Sequence, residues 1–81
     1  MSKARPHHNV LEHMTRSEAE KIIYEANLGK EDERIARLYF VDKLPQIDIG
    51  FEVMLDRKTV GIRLKDITTR MLKAAESRSL P

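Results

Sequence analysis

The sequence predicts a small all-α domain of four helices, and three observations carry that prediction. Aliphatic residues recur at helical rather than alternating spacing. Residues that open helices stand ahead of each stripe, and glycine or proline falls between the stripes. The chain has 81 residues, 41% of them hydrophobic and 35% charged, enough for one modest core under a wet surface. Residues 1–14 lack periodicity and carry Pro6, so they read as a flexible N-terminal tail with some order near Val10–Leu11. The helical domain is expected over residues 15–76, and residues 77–81 as a fraying C-terminal tail.

The first helix opens on two overlapping capping boxes, Thr15-x-x-Glu18 and Ser17-x-x-Glu20. Ala19, Ile22, Ile23 and Ala26 form its apolar stripe, and Asn27-Leu28-Gly29 stops it, with Gly29 suited to the left-handed residue past the helix end. Glu31-Asp32-Glu33 opens the second helix, where carboxylates complement the positive end of the helix dipole. Ile35, Leu38 and Tyr39 are its expected buried stripe, with Arg34 and Arg37 on other faces, and it should end near Asp42 ahead of Lys43-Leu44-Pro45. Pro45 suits the first position of a short third helix reaching about Met54. Asp56 caps the fourth, whose stripe Val60, Leu64, Ile67 and Met71 is spaced i, i+4, i+7, i+11 to about Glu76.

Composition excludes several functions. There is no cysteine, hence no disulfide, thiol nucleophile or Cys-based zinc site. The longest apolar runs, such as Leu38–Val41, are far below the ~20 residues of a membrane span, and residues 1–14 lack the apolar block of a secretory signal. A soluble cytoplasmic protein is expected, with no membrane partner. The serines Ser2, Ser17, Ser77 and Ser79 lie near the termini or at a cap, and no phosphate-cradling glycine loop exists. His7, His8 and His13 share the tail with Glu12 alone as a nearby carboxylate, so no metal is assigned. Neither an enzyme nor a cofactor is expected. Charge is uneven: residues 1–52 hold 8 basic and 10 acidic side chains, residues 53–81 hold 7 basic and 3 acidic. A local cation on a slightly anionic body points to a polyanionic partner.

Residues 46–65, QIDIGFEVMLDRKTVGIRLK, have the requirements of a helix-turn-helix. Gly50 is the small residue where two helices cross, and Ile49, Val53, Leu55, Val60 and Leu64 are aliphatic at the packing positions. Upstream, Leu28–Ile47 has an acidic start, then Ile-x-x-Leu-Tyr-Phe and a short turn. From about Leu28 to Leu72 the chain resembles the promoter-reading C-terminal region (region 4) of sigma factors, and the small sigma-like helix-turn-helix proteins of phages and mobile elements. The resemblance implies sequence-specific double-stranded DNA binding by a small transcriptional regulator, with the helix of residues 56–76 in the major groove, and a homodimer on a two-fold site. Carried over by position, the reading side chains are Arg57, Lys58, Gly61, Ile62 and Lys65, with Thr59 and Arg63 flanking phosphates.

The chain departs from that pattern at Met54, where glycine is usual, and at Gly61 and Ile62, where serine and arginine are usual. Ile47, Phe51 and Met54 also form a second apolar stripe on the third helix, opposite Gly50 and Val53. The tail or the first helix is expected to cover it, with a dimer mate or another protein as the other reading. A protein-interaction module on the same scaffold is therefore the alternative function, using Ile47, Phe51, Met54 and Ile62, for example a phage-encoded inhibitor of a host polymerase or defence nuclease.

Overall fold

The computed structural model describes Leu11 and residues 13–79, the last two by backbone alone. Thr15 starts the order: its hydroxyl accepts from the Glu18 amide at 3.1 Å, and the Glu18 carboxylate accepts from the Thr15 amide at 3.0 Å. This reciprocal box opens α1 (Arg16–Ala26). Ser17 lies inside the helix, so of the two expected boxes the first is the one used. Asn27, at φ 54° and ψ 56°, is the left-handed residue that ends α1, not Gly29 as expected. Asparagine tolerates that conformation through its short polar side chain. Gly29 is also at positive φ, 93°, but with an extended ψ of 160°, as the residue leading into α2 (Lys30–Ala36).

Helix α2 runs without a break into a π-helical turn, Arg37–Val41. Its mark is the Asp42 amide donating to the Arg37 carbonyl at 3.0 Å, an i→i−5 bond. The Leu44 amide then closes back on Leu38 O at 3.0 Å past Lys43, which is left-handed at φ 61°. The surplus residue explains a correction. Ile35, Ala36 and Val41 are buried, Leu38 and Phe40 half-buried, and Tyr39 is turned to the surface. A strict 3.6-residue period puts Tyr39 inside; the wider turn substitutes Phe40, with the two rings edge to face at 5.0 Å.

Pro45 caps rather than begins the next helix, and α3 spans Gln46–Val53. Helix α4 (Arg57–Ser79) continues past the expected end at Glu76. It packs against each of the other helices. Ile23, Ile35, Ile49, Val60, Ile67 and Met71 are fully buried between them, so the expected stripe of α4 is the floor of the core. Leu11 is buried in the same core. The rest of the expected tail before His13 lies outside the described residues. Among the described residues there is no strand, and no helix is long and apolar enough to cross a membrane.

Candidate nucleic-acid interface

The site is the leading end of α4, and α3 holds it in place. A Cβ built on Gly50 would lie 2.7 Å from the Leu55 carbonyl oxygen and 3.8 Å from Val60 Cγ2. No side chain fits there, so the glycine lets α3 close onto the turn and onto α4. Met54 is left-handed at φ 61° and ψ 43°, and the Leu55 amide donates to Gly50 O at 3.0 Å. That six-residue closure is the Schellman turn usually built with glycine; here methionine carries the conformation. Leu55 and Val53 are half-buried against the core, while Ile49, Val60 and Leu64 are buried. All five positions expected to hold the two helices together do so.

Asp56 starts α4 sharply, its carboxylate accepting from the Thr59 amide at 2.8 Å. Hydrogen bonds from the Thr59 side chain and backbone hold the Asp56 carboxyl below its ordinary pKa. Arg57 and Lys58 stand exposed in the first turn, and Lys65 is exposed two turns on. Lys58, Ile62, Lys65, Thr69 and Lys73 share the face opposite the buried stripe. Among the described residues, Arg16, Arg34, Arg37, Arg63 and Arg70 each enter an ion pair, whereas Arg57, Lys58 and Lys65 enter none.

Two expected site residues are placed differently. Arg63 faces α2, not the outer surface: it donates to Asp32 Oδ1 at 2.6 Å and Glu31 Oε1 at 2.9 Å. The hydrogen bond to Asp32 first, then that to Glu31, raises its pKa above the ordinary value. A guanidinium satisfied by two carboxylates is a strut between helices, not a phosphate ligand. Thr59 is half-buried, with its amide committed to Asp56. Gly61, half-buried, lies under Gln46, whose Oε1 would be 3.3 Å from a Cβ at that position.

Gln46 is a residue the sequence reading missed. With Arg57, Lys58 and Gly61 it borders an open niche of about 470 Å³. The only trace in the sequence is a glycine at an outward position of a helix, where it has a propensity cost; the partner occupying the space, fifteen residues away, is not local.

The second apolar stripe is uncovered in the monomer, contrary to expectation. Ile47 is 53% exposed, Phe51 79% and Met54 88%, and Ile62 on α4 is 62% exposed. Leu11 packs elsewhere, beside Tyr39, Phe40, Lys43, Leu44 and Pro45. His13 is exposed; His7, His8 and Val10 lie outside the described residues. Comparison with known proteins finds no matching family model, no similar curated protein and no matching solved structure.

Proposed function

We propose that the protein binds double-stranded DNA sequence-specifically, as a small transcriptional regulator of the phage or mobile-element type, by laying α4 into the major groove. The observation that carries this reading is the contrast among cations. Arginines elsewhere on the described surface are neutralised by carboxylates, while Arg57, Lys58 and Lys65 on the leading end of α4 are left free for an external anion. A groove ~12 Å wide admits one helix. The tight α3–α4 junction at Gly50 gives the support such a helix needs. Phosphate contacts set position and base-edge contacts set sequence, so the two kinds of residue separate experimentally. One helix-turn-helix reads few base pairs, and a homodimer on a two-fold site completes the reading.

The test is duplex binding by anisotropy across a salt series. Affinity falls with a log–log slope of about −0.9 per phosphate neutralised, and the double variant Arg57→Ala/Lys58→Ala flattens that slope by about two units. Absence of binding at low salt overturns the reading.

A second reading rests on the exposed Ile47, Phe51 and Met54. Contiguous apolar surface on a small protein marks a binding face, here for a protein partner in a nucleic-acid machine, such as a polymerase or defence nuclease that the chain would inhibit. Phe51→Ala or Ile62→Asp then abolishes a complex that survives high salt, because apolar contacts are barely screened.

A further inference from the structure

We infer that Gln46 reads an adenine from the α3 side of the site. The inference rests on the DNA-binding reading and assigns a base contact to a residue outside α4.

Three features converge on Gln46. It is the first residue of α3, and its side chain spans the junction to lie against Gly61, with Oε1 3.3 Å from where a Cβ at that position would be. Gly61 therefore leaves both room for the amide and open space beside it, the niche of about 470 Å³ bordered by Arg57 and Lys58. Among the described residues, no intramolecular hydrogen bond engages the Gln46 amide. The amide thus presents an acceptor and a two-hydrogen donor side by side, uncommitted, at the end of α4 that would enter the groove.

That donor–acceptor pair fits one base edge in the major groove. Adenine offers N7 as acceptor and N6–H as donor; guanine offers two acceptors and suits arginine or lysine instead. In the niche, Arg57 and Lys58 supply contacts to phosphate or guanine, and Gln46 supplies the group of mixed polarity. Without a Cβ at position 61, the helix backbone approaches the base edges closely.

Selection from a randomised duplex pool with wild type, Gln46→Ala, Gln46→Glu and Gly61→Ala tests this. Wild type selects adenine at one position beside those read by Arg57 and Lys58. In Gln46→Ala the adenine preference at that position falls about tenfold, within what one bidentate base contact supplies. Gln46→Glu, which presents acceptors only, moves the preference from adenine towards cytosine, whose N4 is a donor. The glutamate also sits in the first turn of α3, where an anion suits the helix dipole and the fold is kept. Gly61→Ala crowds the amide and weakens the same preference without touching the others. Wild type that binds duplexes with no adenine preference overturns the inference, as does an unaltered preference in the Gln46 variants or an affinity loss uniform over all sequences. Failure of wild type to bind any duplex at low salt instead overturns the DNA-binding reading beneath it.

Discussion

The guanidinium of Arg63 meets the carboxylate of Asp32 at 2.6 Å, joining the middle of α4 to the first turn of α2. Asp32 is mostly shielded, with 17% of its side chain accessible, whereas Arg63 is about a third exposed. A fork shared with Glu31 gives the pair better geometry than an isolated surface ion pair. A double-mutant cycle on Arg63→Ala and Asp32→Ala by thermal unfolding should show favourable coupling that shrinks at high salt. Single removal of Arg63 should lower Tm without weakening duplex binding below the transition. A steep loss of binding in the folded variant returns Arg63 to the phosphate-contact role.

The two glycines of the α3–α4 unit should respond to alanine with opposite signs. At Gly50 the new methyl meets backbone, 2.7 Å from the Leu55 carbonyl oxygen. The unit must spread, at a cost of about 1–3 kcal/mol, which exceeds the helix-propensity gain of up to ~1 kcal/mol. At Gly61 the methyl meets only the movable end of Gln46 at 3.3 Å. Gly61→Ala should therefore stabilise by up to ~1 kcal/mol in denaturant unfolding. Equal effects at the two positions would contradict the packing described.

Met54→Gly should raise stability by about 0.5–1 kcal/mol. The residue is left-handed, where a Cβ is strained, and its side chain has almost no packing to lose. Chemical denaturation of the isolated protein measures this. A loss of stability would mean that the methionine side chain is covered by a second molecule in solution.

Asp56 gives the fold a pH dependence of known sign. Its folded pKa is depressed by Thr59, so the ionised carboxylate is the stabilising form. The contribution is complete above the unfolded pKa and is lost as pH falls below about 4 and through the folded value. Asp56→Asn retains a capping acceptor but does not titrate. The stability difference between wild type and this variant should thus be flat near neutrality and move against wild type in acid; a pH-independent difference would remove Asp56 from the linkage.

Much of the fold was legible because its determinants are local. Thr15 with Glu18, Asp56 with Thr59, and the stripe from Val60 to Met71 each declare themselves within a turn or three of helix. The core contact at Gly50 was legible for another reason, since a glycine between aliphatic residues has few other uses there. The misplacements share a cause too. Asn27 took the left-handed position from Gly29 because either residue tolerates it and the last hydrogen bond decides. Tyr39 turned outward because a single i→i−5 bond rephased the helix, and nothing in Arg37–Val41 marks a π turn. In the candidate site, the exposed cations could be read by periodicity. Arg63 and Gln46 could not, because Asp32 and Gly61 meet them only after folding.

The π turn at Arg37–Val41 has a bearing on the far end of the molecule. Such a turn is an α-helix carrying one supernumerary amino acid. Deleting one position there restores ordinary winding and swings whatever follows by ~100° about the axis. The azimuth at which α3 and α4 leave α2 is therefore set by a count of one, well upstream of Arg57 and Lys58. Insertions and deletions in this stretch would re-aim the cationic edge without altering any residue on it.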